Sequence, residues 1–232
     1  ITWGADAIYD IVDQKLEFKG NYKIPAPQLE TENCVAHNGS IIPVPGRDIF
    51  IQAWYQGGIS VIDFTDSANA IEIAYFDRGP IDEKELLTGG FWSVYYYQGA
   101  IYGTEIARGL DVLKLLPSEF LSTNEIAAAA LAYPAMGPSK LFNPQQQIPM
   151  AWPDMPIVAS AYVDQFERAK AMSSVTADNV RQLLSQLAGL IKANKSSEVG
   201  EVISSIKKEM KNITADQTTV DRFQRTLEGI AS

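Results

Sequence analysis

The chain has 232 residues, 46% of them hydrophobic, which is enough for one or two domains with real cores. Its formal net charge of −9 disfavours nucleic acid, since phosphate binding needs a basic footprint. A single cysteine, Cys34, excludes an internal disulfide framework and Cys-rich zinc sites.

In chain order, the first predicted elements are short strands between turn residues. Ala7 to Val12 and Lys15 to Tyr22 read as two strands. Asp48 to Tyr55 is β-rich and ends at Gly57-Gly58; Ile59 to Phe64 follows, and Ala70 to Phe76 alternates until Arg78-Gly79-Pro80 stops it. Trp92 to Tyr97, a tight Gln98-Gly99 turn, Ala100 to Glu105 and Gly109 to Leu116 repeat the order. Gly58-Ile59-Ser60-Val61-Ile62-Asp63 is echoed 51 residues later by Gly109-Leu110-Asp111-Val112-Leu113-Lys114. A weaker copy sits at Asp6 to Asp13. Self-similarity at roughly 40–50 residues marks a propeller or solenoid unit. Four antiparallel strands per unit without an intervening helix point to a propeller blade.

Residues 118–156 form a Pro-, Ala- and Gln-rich connector carrying Pro134, Pro138, Pro144, Pro149, Pro153 and Pro156. From Ile157 the apolar period becomes helical. Four helices are expected: about Ile157 to Met172; from Thr176, burying Val180, Leu183, Leu184, Leu187 and Ile191; after Ser196 or Ser197; and after Thr214. They suit a small antiparallel bundle, or an apolar groove for a partner helix. Composition shifts at the same place. Residues 1–156 carry 9 Lys+Arg against 19 Asp+Glu and all four tryptophans, whereas residues 157–232 carry 10 against 9. The fold class expected is therefore mainly β with an α-helical C-terminal part. Incomplete propeller blades, about two and a half over 1–117, precede the connector and a helical bundle over 157–232.

Several strings resemble the C-terminal blades of LVIVD-repeat proteins: Cys34 to Ser40, Gly46 to Phe50, Ala53 to Val61, Phe76 to Pro80, Gly89 to Ser93 and Ile101 to Val112. Val158 to Phe166 is similar to the helical tail of some secreted members. The resemblance implies β-propeller blades and a secreted, periplasmic or cell-surface location, with no common activity to carry over. A propeller needs about 4–8 blades, so the expected partners are further N-terminal blades or a companion polypeptide, together with a protein or surface partner. The absence of an initiator Met suits a mature form or a fragment, and no apolar run of about 18 residues predicts a transmembrane segment.

His37 is the only histidine. With Cys34 it has C-x-x-H spacing, a weak metal signal without a second pair; the bland reading is a structural histidine bonded to neighbouring backbone. Glu105 and Arg108 flank the turn into Gly109 and could bind a ligand or hold that turn. With Trp54, Tyr55, Gln56 and Trp92 these make the ligand-binding candidates. Trp92 and the Tyr95-Tyr96-Tyr97 run put aromatics on both strand faces, for core packing or for a platform that takes sugars or peptides. No cofactor is predicted. Asp63, Asp66 and Asp77 offer oxygens for Ca²⁺, but no D-x-D-x-D-G loop accompanies them and they read as turn carboxylates. The first functional expectation is a non-enzymatic extracytoplasmic binding or scaffold module with a docking or capping tail. The alternatives are a propeller enzyme using His37, Glu105 and Arg108 in a channel completed by other blades, and a structural subunit of a larger surface assembly.

Overall fold

A computed structural model describes residues 4–135 and 148–232; Pro138 and Pro144 of the connector lie outside the described residues. The chain divides into two compact units, Ile1–Leu116 with Pro134–Met150, and Pro117–Tyr133 with Ala151–Ser232.

The first unit is built from antiparallel sheets. A hairpin of β1 (Asp6–Val12) and β2 (Lys15–Tyr22) turns through Asp13 and Gln14, both at positive φ, the conformation that lets a two-residue turn follow the twist of its strands. A four-stranded sheet follows in the order β3 (Gly39–Ile42), β4 (Ile49–Ala53), β5 (Ile59–Asp63) and β6 (Ile71–Phe76). A third sheet joins β7 (Phe91–Tyr97), β8 (Ala100–Glu105) and β9 (Gly109–Leu113), with Gln98 and Gly99 at positive φ between the first two. β3 and β4 pack on β7. On the other face of the middle sheet, Tyr22 and Ile8 of the hairpin pack with Trp54, Phe50 and Ile62. The hairpin, the four-stranded sheet and the three-stranded sheet are thus stacked in chain order.

The second unit begins with α1 (Thr123–Ala130), inside the segment expected to be a connector. Ser122 and Glu125 form a capping box: each side chain accepts from the other residue's backbone N–H. α2 (Pro156–Arg168), α3 (Ser174–Lys192), α4 (Ser196–Glu209) and α5 (Gln217–Ala231) then enclose one core. Phe166, Leu184, Leu187, Ile206, Phe223 and Leu227 are fully buried there. Each contributes about 1.5–3 kcal/mol relative to an exposed side chain. A two-stranded ladder of β10 (Tyr133–Pro134) and β11 (Met150–Ala151) completes the elements. No helix of the described residues is long and apolar enough to cross a membrane.

The antiparallel sheets and the C-terminal helices match the coarse expectation, and several finer points change. The sheets are open, of two, four and three strands, and helix shares the fold with sheet, so the chain is not mainly β. β3 and α1 were not foreseen: Gly39–Ile42 lies among turn residues, and the Ala run of α1 has little apolar periodicity. Ser173, not Thr176, caps α3, because its hydroxyl accepts the Thr176 N–H at 3.1 Å. Ile191 is exposed while Leu190 is buried, a displacement of one residue around the helix. Tyr96 is buried, whereas Tyr95 and Tyr97, on the other face of β7, are half-buried.

Two ion pairs give measurable expectations. Arg47 Nη2 lies 2.5 Å from Asp63 Oδ2. Burial alone would raise the Asp63 carboxyl, but the Arg47 charge and the Thr65 hydrogen bonds outweigh it and hold the carboxyl below its usual range. Depression of the folded pKa means stability that is present above the unfolded value near 3.8 and lost as pH falls through the folded one. Asp63→Asn should therefore cost about 2 kcal/mol at pH 7, a cost that shrinks as pH falls below 3.8 toward and through the folded value, read by urea unfolding across an acid pH series. Glu125 is wholly buried and receives both terminal guanidinium nitrogens of Arg168. Glu125→Ala removes the capping box and a buried charge partner together, and should destabilise the chain by about 3 kcal/mol in the same assay.

Candidate functional site

The turn between β4 and β5 builds the site. Trp54 N–H donates to Gly58 O at 2.9 Å and Gly57 N–H to Trp54 O at 2.9 Å, closing a tight loop over Trp54–Gly58. Gly58 sits at φ +83°, where a Cβ would meet Phe76 O at 2.2 Å, so only glycine fits. The loop forces Tyr55 to φ 48°, a left-handed conformation that is costly for an aromatic residue. The compensation comes from the next sheet. Tyr55 O accepts the Phe91 N–H at 2.8 Å, and Gly90, at φ +92°, approaches so closely that a Cβ would lie 2.0 Å from the Tyr55 carbonyl carbon.

This seam brings together three of the residues singled out from the sequence. The rings of His37 and Tyr55 are 4.9 Å apart, those of His37 and Trp92 4.6 Å, and those of Tyr55 and Trp92 5.8 Å, the last pair meeting edge-on at 88°. His37 Nδ1 pairs with the Trp92 carbonyl, which fixes its N–H there, while its backbone N–H donates to Ala53 O at 2.9 Å. Trp92 remains 53% exposed, and His37 and Tyr55 are half-buried. The trio is a solvent-facing aromatic cluster at the junction of the second and third sheets.

The other candidates are held differently. Trp54 is fully buried against Tyr22 and Ile62. Gln56 is buried with its amide engaged: Nε2 donates to Leu87 O at 2.7 Å and Oε1 accepts from Ile81 N–H at 2.9 Å, so it pins the loop that precedes β7. The buried Glu105 carboxylate accepts from the backbone N–H groups of Gly90 and Arg108. Arg108 Nη2 donates to Pro80 O at 3.3 Å. Glu105 and Arg108 thus meet each other at the turn before β9, and His37 contacts Tyr55 and Trp92 instead.

Asp66 and Asp77 accept from backbone N–H groups two residues on, at Ala68 and Gly79, as turn carboxylates do, and Asp63 does the same at Thr65 besides pairing with Arg47. Among the described residues no group of three or more His, Cys, Asp or Glu is placed to hold a metal ion.

Sequence reasoning missed a buried polar network beside the site. Ser60 Oγ, Tyr22 Oη and Glu72 Oε2 join at 2.6, 3.2 and 2.5 Å, tying β2 to β5 and β6. Burial, with the nearby Glu72 carboxylate, pushes the Tyr22 hydroxyl up. Gln52 Nε2 donates to Asp6 Oδ1 at 2.9 Å and to His37 O at 3.1 Å, tying the hairpin to the strand that leads into the trio. The available signal was a polar residue, Ser60 or Gln52, in the middle of an otherwise apolar strand.

Cys34 is buried against Gly57, and its thiol is pushed up to about 12 by burial and by the Glu32 and Asp77 carboxylates. It should therefore resist a thiol reagent at pH 8 in the native protein and yield one equivalent after denaturation. Rapid native labelling would overturn its role as a packing residue.

No protein family model, no curated protein and no solved structure matches the chain.

Proposed function

We propose that the chain is a non-enzymatic binding or scaffold module of β-propeller type, related to the LVIVD-repeat proteins. It works outside the cytoplasm, secreted, periplasmic or at the cell surface, and its helical unit serves to dock or cap. The observation that carries this reading is the His37–Tyr55–Trp92 cluster, half-exposed on a strained turn that two sheets hold in place. Backbone strain concentrates where a side chain must be aimed, and a rigid group of aromatic rings offers large contact area at low entropic cost. Sugar rings and the aromatic side chains of peptides are the ligands such faces take.

Further sheets of the same repeat, from the same polypeptide or a companion, would complete the propeller. The enzyme alternative has less support. Glu105 and Arg108 serve the backbone of one turn, and the His37 Nδ1 proton is committed to a carbonyl oxygen. A base of that kind would have only its second nitrogen for proton transfer.

The test is binding of the fluorescently labelled chain to glycan and peptide arrays. Wild type should give a defined set of signals, and Trp92→Ala should weaken them about tenfold. Ile191→Ser, an exposed change in the helical unit, should leave them unchanged. Signals indifferent to Trp92→Ala would remove the cluster from the function.

A further inference from the structure

The hairpin meets the middle sheet through a carboxyl and an amide that stop one bond short of a full pair. Gln52 of β4 is 3% exposed, and its Nε2 donates to Asp6 Oδ1 of β1 at 2.9 Å and to His37 O at 3.1 Å. Both amide protons are thereby used. The second oxygen of each group, Asp6 Oδ2 and Gln52 Oε1, is buried and has no hydrogen-bond partner among the described residues. Burying an acceptor without a donor forfeits its hydration, and here two such acceptors belong to side chains already bonded to each other. Among the described residues no Lys, Arg or His side chain pairs with the Asp6 carboxyl. The titratable groups facing it are Tyr22, its cross-strand neighbour on β2, and Glu72 of β6, which accepts from the Tyr22 hydroxyl. From the β3–β4 side come the Gln52 amide and the His37 carbonyl, the His37 ring being turned to Trp92. These surroundings offer Asp6 no positive charge.

We propose that Asp6 and Gln52 form a proton-dependent latch: when Asp6 Oδ2 carries a proton, its O–H donates to Gln52 Oε1 and closes an acid–amide ring. One hydrogen taken from water satisfies both orphaned oxygens at once, and the existing bond from Nε2 to Oδ1 supplies the other half of the ring. The neutral ring also removes the cost of holding an unpaired carboxylate away from water. Burial acts in the same direction and holds the Asp6 carboxyl above its ordinary 3.8, the Gln52 bond lowering it only in part. The latch fastens the hairpin to the middle sheet by two bonds when Asp6 is protonated and by one when it is ionised. Because the same amide holds the His37 carbonyl, the latch bears on the segment that seats the aromatic cluster. A folded value above the unfolded one gives stability that is fully present below 3.8 and lost as pH rises through the folded value.

The test pairs carbon-13 NMR of the full wild-type chain with urea unfolding of wild type and Asp6→Asn. The Asp6 carboxyl carbon should titrate with a midpoint above 3.8. The Gln52 side-chain carbonyl carbon should move with the same midpoint, because its oxygen gains a donor only when Asp6 is protonated. Asparagine at position 6 can close the same ring with an N–H and no titrating proton. Asp6→Asn should therefore match wild type near pH 4 and be more stable at pH 8. The gap should be about tenfold in the folding equilibrium for every pH unit by which the Asp6 midpoint exceeds 3.8. The other carboxyl groups titrate in both chains and cancel in this comparison. A midpoint at or below 3.8, or a Gln52 carbonyl that does not follow Asp6, overturns the latch on wild type alone. An Asp6→Asn chain less stable than wild type at pH 8, or a wild type selectively stabilised there by calcium chloride, overturns it too. Those results would place water or a cation on an ionised Asp6.

Discussion

The approach of Gly90 to the Tyr55 carbonyl is the constraint on which the first unit depends. A tight loop forces an aromatic residue into a left-handed conformation, and a glycine backbone from the next sheet supplies the hydrogen-bonding neighbour that holds it there. Gln56, next in the chain, clamps the segment that delivers Gly90, through Leu87 and Ile81. Glu105 then accepts the Gly90 N–H itself. Two buried polar side chains thus secure one backbone contact, and that contact places Trp92 beside His37 and Tyr55. The aromatic cluster follows from sheet packing; nothing in its local sequence would assemble it.

The same logic explains why polar residues sit inside the stack. A sheet with both faces covered has no solvent side on which to place Ser60, Gln52 or Glu72, so these must find partners or pay desolvation in full. The Tyr22–Ser60–Glu72 network and the Gln52–Asp6 bond meet that requirement, and both join the hairpin to the middle sheet. Apolar contact alone leaves register weakly specified where side chains are of similar size; directional hydrogen bonds fix it. At the ends of the stack Tyr9, Ile11, Leu110 and Val112 are exposed.

The second unit obeys different rules. Its four long helices bury a continuous apolar stripe, and the buried Glu125 carboxylate ties α1 to α2 through Arg168. Arg181 gathers Asp164, Glu167 and Asp178 in the same way between α2 and α3. These ion pairs link neighbouring helices, at a desolvation cost that apolar packing elsewhere offsets.

Sequence by itself determined the periodic elements. Strands alternating every second residue, helices repeating every 3.6, and turns such as Gln98-Gly99 depend on local sterics and on apolar patterning, which the chain displays one residue at a time. It also marked His37, Tyr55 and Trp92 as unusual, although not as neighbours. What tertiary structure decided is which residues share a site. Glu105 and Arg108 serve a turn and the aromatic trio forms a cluster because sheets pack face to face across 55 residues of chain, as the bond from His37 to Trp92 shows. β3 and α1 were decided there too: Gly39–Ile42 and the Ala-rich Thr123–Ala130 have weak patterns of their own, and the neighbours they pack against, β4 with β7 and α2, make them regular.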